Sequence, residues 1–435
     1  MPNERRAAVV GAGLAGCEAA WQLAQRGVFV QLYEMKPQAY SPAHKDPNFA
    51  ELVCSNSLRS DRLQNAVGLL KEEMRRLDSL ILGAADHTRV PAGGALAVDR
   101  TGFSAYVTNA IKSHPNIAVV PGEVTALPAP PAIVATGPLT AGKLFSAVEE
   151  AVGGSLHFYD AAAPVLTADS LDYGVVFRAS RYERGEDYLN CPMTREEYFR
   201  FYHALLEAET APLHAFETPR VFEGCMPVEV MAGRGEKTLA FGPLKPVGLS
   251  DPRSPAVKPY AVVQLRQDDA AATLYNMVGF QTNLTFPEQR RVFRMIPGLA
   301  NAEFARYGVM HRNTFLRSPG VLSWDYQMKE RRGLYFAGQI TGVEGYVESA
   351  SSGLVAGIGL ARALGGLPPL DFTRKTAAGA LAHYVSEYAG GDFQPMNVTY
   401  GIMEPLPGAP RDKTRRSELM AERALGIVED LQKNC

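Results

Sequence analysis

The stretch "AAVVGAGLAGCEAAWQLAQRGVFVQLYEM", residues 7–35, constrains the fold more than any other part of the chain. It reads as strand, tight glycine turn, helix and second strand. Gly11 permits the turn, Gly13 lets backbone approach a pyrophosphate, and Gly16 lets a helix over 14–26 pack close to the sheet. The N-terminus of that helix offers free N–H groups and the positive end of its dipole to phosphates. Glu34 follows Gly16 by 18 residues, at the end of the second strand, where an acid accepts a ribose 2′-hydroxyl. An α/β domain of Rossmann-like type that binds a dinucleotide is therefore expected. Cys17, on the apolar helix, is read as packing.

Three features distinguish a flavin dinucleotide from a nicotinamide one. First, the long polar stretch "PQAYSPAHKDPNFAELVCSNSLRSD" follows the first unit, where a simple nicotinamide domain would continue its regular alternation. It carries Cys54 among Ser55, Asn56 and Arg59, company that suits a reactive thiol as well as a packed one. Second, "PPAIVATGPL" is an apolar strand ending in Thr136 and Gly137, similar to the segment closing the nucleotide domain of two-dinucleotide-fold flavoproteins. Third, "GLYFAGQITGVEGYVESASSGLVAGIGLARAL", residues 333–364, resembles the flavin-facing closing segment of glutathione-reductase-type FAD domains. Here a strand ends at Ala337 and Gly338, Gln339 stands where many members of that superfamily have Asp, and a helix with Gly353 and Gly357 on one face begins near Glu348. The expected fold class is α/β: a discontinuous FAD-binding domain of residues 1–180 and 306–435, with an inserted α+β domain of residues 181–305 on the substrate side.

In the insertion, "MTREEYFRFYHALLEAE" opens with a capping box from Thr194 to Glu197 and continues as an amphipathic helix. "KTLAFGPL", "YAVVQLRQ" and "TLYNMVGFQT" read as short strands, and Pro287 opens a helix in "FPEQRRVFRMIPGL". The tail "PLPGAPRDKTRRSELMAERALGIVEDL" reads as a loop and a closing helix. The net charge of the 435 residues is only −2, yet residues 234–317 hold twelve Lys/Arg against six Asp/Glu, a local +6. That asymmetry suits a polyanion-facing surface, and equally a solvated face. The five cysteines are odd in number and contain no CxxC pair, so neither a disulfide framework nor a metal site is indicated. The N-terminus runs charge straight into a strand without an apolar signal region, which places the protein in the cytoplasm, with no membrane and no obligate protein partner indicated.

Over essentially its whole length the chain resembles the bacterial folate- and FAD-dependent tRNA (uracil-5-)-methyltransferases, the TrmFO family. The match lies in "GAGLAGCEAAWQLAQRGVFVQLYEMKP", "SPAHKDPNFAELVCSNSLRSD", "FEGCMPVEVMAGRGEKTLAFGPLKPVGL" and "AGQITGVEGYVESASSGLVAG". The last is shared with the tRNA-uridine-modifying flavoprotein MnmG, which has a further C-terminal helical domain for which this chain has no residues left. The resemblance implies methyl transfer to C5 of the T-loop uridine of tRNA, making ribothymidine. The carbon would come from 5,10-methylenetetrahydrofolate, the electrons from reduced FAD, and the reductant would be NADH or NADPH. It implies Cys225 as the thiol that adds to uracil C6 and Cys54 as a second thiol beside the flavin. The residues assigned to cofactor are Gly11, Gly13, Gly16, Glu34, Thr136, Gly137, Gly338, Gln339, Gly345 and Tyr346. It implies His311 as a ring packed on the folate pteridine; Arg59 and Lys245 would hold the folate glutamate tail or a phosphate, and the basic segment offers Arg290, Arg291 and Arg294 to the T-arm. Another tRNA-uridine modification of the MnmG type, a flavin oxidoreductase acting on a small molecule, and an RNA-binding protein retaining flavin stay open at this point.

Overall fold

The short apolar runs Arg6–Val10, Phe29–Glu34 and Ala132–Val134, joined by Ile117–Pro121 and Leu334–Phe336, form one parallel sheet in the computed structural model, which describes residues 5–212 and 226–433. The strand order is 334–336, 132–134, 6–10, 29–34, 117–121. Strands from near both ends of the chain thus lie side by side, as a discontinuous nucleotide-binding domain requires. Arg6–Val10 pairs with Phe29–Glu34 on one side and Ala132–Val134 on the other, so the glycine turn after Val10 leaves the carboxyl edge of the sheet at its middle. That edge is where open α/β sheets bind ligands.

Two helices cover the sheet at this edge, Leu14–Gln25 and Tyr346–Leu364. Small residues let them meet. A Cβ at Gly353 would lie 2.1 Å from the carbonyl oxygen of Ala15, and one at Gly357 2.9 Å from that of Ala19. Glycine at both positions allows backbone-to-backbone approach, so the closing segment seats directly on the first helix.

The second unit is a six-stranded antiparallel sheet ordered 177–178, 188–193, 261–267, 274–277, 165–167, 304–306. It carries its own apolar core, with helix Arg195–Leu206 opened by the expected capping box. Its strands Val165–Thr167 and Phe177–Arg178 precede residue 181, so the sheet takes in residues that the expected division gave to the FAD-binding part. The reason is pairing: Val165–Thr167 bonds to Leu274–Met277 on one side and to Phe304–Arg306 on the other. A two-stranded antiparallel ribbon, Ser155–Ala161 with Met310–Leu316, carries the chain between the units.

One expected strand is a helix. In "KTLAFGPL", residues 238–241 form a helical turn. The segment buries Leu239, Ala240 and, beyond the turn, Leu244 while leaving Phe241 exposed, a pattern that period-two alternation cannot produce. The strands expected in "YAVVQLRQ" and "TLYNMVGFQT" are Ala261–Gln267 and Leu274–Met277, and Pro287 opens helix Phe286–Phe293. The tail closes with helix Lys413–Gln432. Among the described residues no helix is long and apolar enough to cross a membrane.

Candidate functional site

A cavity of about 690 Å³ opens at the carboxyl edge of the parallel sheet and runs between the two units. Its size suits a cofactor or drug-sized ligand. Gly11, Gly13, Glu34, Thr136, Gly137, Gly338, Gln339, Gly345 and Tyr346 all line it. The glycines have separate reasons to be glycine. Gly11 has φ +96°, and a Cβ on it would strike the Ala135 carbonyl oxygen at 2.6 Å. Gly16 lies beneath the turn, where a Cβ would sit 1.8 Å from the Gly11 oxygen. Gly13 has an ordinary φ of −74° and no atom within 4 Å of a would-be Cβ, so a side chain there would project into cavity space without straining the fold. Its absence leaves the helix N-terminus open to a phosphate, and the residues present fit a dinucleotide. Glu34 is held in place by Ala12 N–H to one carboxylate oxygen (2.7 Å) and Lys36 N–H to the other (2.9 Å).

Cys54 lies in the same cavity, half-buried, on the long polar loop. The Tyr346 hydroxyl donates to its Sγ at 2.9 Å and accepts from its backbone N–H at 2.7 Å. Burial, reinforced by the neighbouring Cys54, holds the Tyr346 phenol well above its ordinary pKa. The phenol is therefore a proton donor at neutral pH, aimed at sulfur. The second unit braces this loop with cations. Arg266 donates to Asn56 Oδ1 (2.9 Å) and Ser55 Oγ (2.6 Å), and Arg306 donates to the Val53 carbonyl (3.0 Å). Asn56 in turn donates to the Val98 and Gln267 carbonyls. Arg100 pairs with Asp268 at 2.8 Å and also donates to the Leu52 carbonyl.

Arg59 also lines the cavity, at φ +64°, and its guanidinium bonds to the fully buried Glu348. Val398 N–H donates to the same Glu348 oxygen at 3.0 Å. Beneath this turn the fully buried Lys71 donates to the Ser60 carbonyl at 2.6 Å, and burial lowers its pKa to about 7. His311 and His44 also line the cavity. Burial lowers the pKa of both, with help from Lys45 at His311 and from Lys36 at His44, which falls to about 4. His44 Nδ1 shares a 2.6 Å hydrogen bond with Ser41 Oγ. Both rings are neutral at pH 7.

Not every expected residue meets here. Cys225 lies outside the described residues, as does Cys435. The described chain on either side of residues 213–225 is tied to one segment: Ala211 N–H donates to the Asn283 carbonyl and Val228 N–H to that of Gln281, itself a cavity residue. Lys245 is exposed and does not line the cavity; its carbonyl accepts from Arg181. Arg290, Arg291 and Arg294 sit on or just after helix Phe286–Phe293, also off the cavity. Arg291 pairs with Glu288, and Arg294 donates to the Ala302 carbonyl. The local +6 is thus no single surface, because Arg266 is buried and Arg306 is turned inward on the Cys54 loop. Cys17 and Cys191 are buried, and Cys17 donates to the Ala12 carbonyl. Sequence reasoning missed Lys36, His44, Lys71, Arg266 and Asn397, a cavity residue whose amide donates to the Glu344 carbonyl. Only Arg266 left a trace, as a charge within the otherwise buried strand "AVVQLRQ".

The family profile described as "Glucose inhibited division protein A" matches residues 6–368. A relative from Bacillus licheniformis, named "Methylenetetrahydrofolate--tRNA-(uracil-5-)-methyltransferase TrmFO", is 58% identical over 427 residues, 98% of each chain. A relative of the same name from Acetivibrio thermocellus is 60% identical over 425 residues, 97% of each chain. Among solved structures, that of Aquifex aeolicus GidA in its form I crystal superposes with a TM-score of 0.71 at 16% identity, covering 99% of this chain and 76% of that one. A likeness at that identity concerns the fold, a discontinuous parallel-sheet domain with an inserted unit, as expected. With near-full coverage at such identities, the chain belongs to the TrmFO family, within the wider Glucose inhibited division protein A group.

Proposed function

We infer that this protein methylates C5 of the T-loop uridine of tRNA to give ribothymidine, using 5,10-methylenetetrahydrofolate as carbon donor. Bound FAD, reduced by NADH or NADPH, supplies the two electrons that turn the folate methylene into a methyl group. The observation that carries the reading is the Tyr346–Cys54 pair inside the cavity that also holds Gly13 and Glu34. Redox cofactor chemistry and thiol chemistry share one space there, and the near-full-length identity to relatives of that name supports the same reaction.

Uracil C5 is a poor nucleophile until something adds to C6, and a thiolate does this best because it is nucleophilic even when only partly ionised. In our reading Cys225 is that thiol. After the carbon is transferred, the C5 proton must leave before the thiol is expelled. Cys54 is placed to take part in proton transfer: its Sγ accepts a hydrogen bond from the Tyr346 hydroxyl inside the cavity, and the guanidiniums of Arg100 and Arg266 lie near it. Arg59, held by Glu348 at the cavity rim, is placed to meet an anionic part of folate or RNA. His311 and His44, neutral and partly apolar, suit a flat aromatic ring. Residence in the cytoplasm belongs to the same reading, since tRNA is the substrate.

The test is a T-arm RNA carrying 5-fluorouracil at the target position. Fluorine stands where the C5 proton must leave, so the wild-type enzyme becomes trapped on RNA. Cys225→Ala is expected to give no adduct while keeping FAD. A trapped adduct that survives this change and maps to Cys54 by peptide mass would reverse the two roles. Absence of any adduct from the wild type with folate and reductant present would refute the reaction.

A further inference from the structure

On the second unit, outside the cavity lining, three aromatic rings stack, and the innermost, Phe304, packs against that unit's core. The Tyr307 ring lies 4.6 Å from Phe286 at an interplanar angle of 18° and 5.0 Å from Phe304 at 3°. The Arg290 guanidinium sits over the Tyr307 ring at 5.8 Å and donates to its hydroxyl. Phe286 stays 50% exposed, on a helix whose other apolar residues, Val292 and Phe293, are buried. A half-exposed phenylalanine stacked on a tyrosine and flanked by arginine is costly to leave in water, and the core does not use it.

We propose that Phe286, Tyr307 and Phe304, with Arg290 at their edge, form a platform on which an unpaired base of the substrate RNA stacks. The proposal rests on the tRNA reading above and names how the RNA is gripped outside the catalytic cavity. Every base offers a flat π-face to an aromatic ring, and an adjacent guanidinium adds attraction for both base and phosphate. The exposed cation beside the rings suits a polyanion rather than an apolar protein surface. Position fits as well. Tyr307 precedes the cavity residue His311 by four residues and Phe286 follows the cavity residue Gln281 by five, so the platform lies within about 14–18 Å of the cavity by chain reach. A loop nucleotide a few steps from the reacting uridine spans that distance. Paired stems present no free base face, so the platform selects for the loop.

The test measures binding of the FAD-loaded enzyme to a T-arm hairpin and to a blunt duplex of the same stem, across a salt series. Phe286→Ala is expected to weaken hairpin binding roughly tenfold or more, leave duplex binding unchanged, and leave the salt slope unaltered because no phosphate contact is lost. Phe286→Trp restores the affinity. Arg290→Ala, by contrast, lowers the slope of log K against log salt by about one. Tyr307→Ala repeats the loop-selective loss; if that variant does not fold, Phe286→Ala, on a half-exposed side chain, decides alone. Hairpin affinity equal to wild type in Phe286→Ala, or equal losses on hairpin and duplex, would overturn the platform and leave packing or a protein partner as the use of these rings. Failure of the wild type to bind the hairpin would instead refute the tRNA reading, and the platform with it.

Discussion

Gly13 and Gly16 show how differently two glycines of one motif act. At Gly16 a methyl group would collide with the backbone of Gly11, so the turn itself requires glycine. At Gly13 nothing in the protein opposes a side chain, and the requirement comes from the ligand. Gly13→Val is therefore expected to fold and to purify colourless, which the flavin absorption spectrum and a thermal melt together check. The fingerprint was legible because its spacing encodes both constraints. Tyr346 is the opposite case. Its place in the glycine-rich closing segment was visible, but its hydrogen bond to Cys54, 292 residues away, was not. Tyr346→Phe removes that donor. Retained FAD with a fall in turnover on the order of 10²-fold is expected, the scale of a lost general acid–base partner. Unchanged turnover across pH 6–9 would separate the phenol from the chemistry.

At the level of elements, helix Ala66–Arg76 buries two ionisable groups. Lys71 supports the Arg59 turn, and Glu73 accepts from Ala377 and Ala378 N–H at the start of helix Ala377–Glu387. The folded-state pKa of Lys71 is lowered from 10.5 to about 7, chiefly by burial, so between these values the unfolded chain binds the extra proton. The stability linked to Lys71 is complete above the unfolded value and is lost as pH falls through about 7. Wild type should therefore gain on Lys71→Met as pH rises from 7 to 10, by at most about 1.4 kcal/mol per pH unit. Urea unfolding at a series of pH values measures the difference; a constant gap would show Lys71 to be charged inside the fold. Nothing in the sequence announced this lysine, because an amphipathic helix ordinarily keeps lysine on its wet face. The contact of helices Leu14–Gln25 and Tyr346–Leu364 was more readable, since Gly353 and Gly357 share one face and small residues signal close approach. The strand expected at 237–244 failed for a related reason: its apolar residues are too few to tell a strand from one helical turn.

For the whole molecule, the two units are fastened at the Cys54 loop by groups from the second sheet. Arg100 and Asp268 form an enclosed ion pair across that junction. Asp268→Ala leaves Arg100 without its partner in a buried site and should cost about 3–5 kcal/mol, with loss of activity ahead of loss of flavin as the loop loosens. Calorimetry beside an activity assay reads both, and coincident loss of the two would place the pair in the global core instead. The sequence disclosed the discontinuous nucleotide domain through motifs at its two ends. It did not disclose this junction, which depends on side chains such as Arg266 and Asn56 that meet only after folding. Nor did composition reveal where basic residues face, because several of the cations in residues 234–317 are spent on internal partners. In the proposed reaction flavin, folate and thiols act together on one uridine. Its most direct test is to incubate the FAD-loaded enzyme with NADH or NADPH, carbon-labelled 5,10-methylenetetrahydrofolate and unmodified tRNA, then digest the RNA to mapped oligonucleotides and, in parallel, to nucleosides. Label is expected in ribothymidine at the T-loop position alone, dependent on the reductant; label in another modified uridine, or none in RNA while the flavin turns over, would show that the three do not act together.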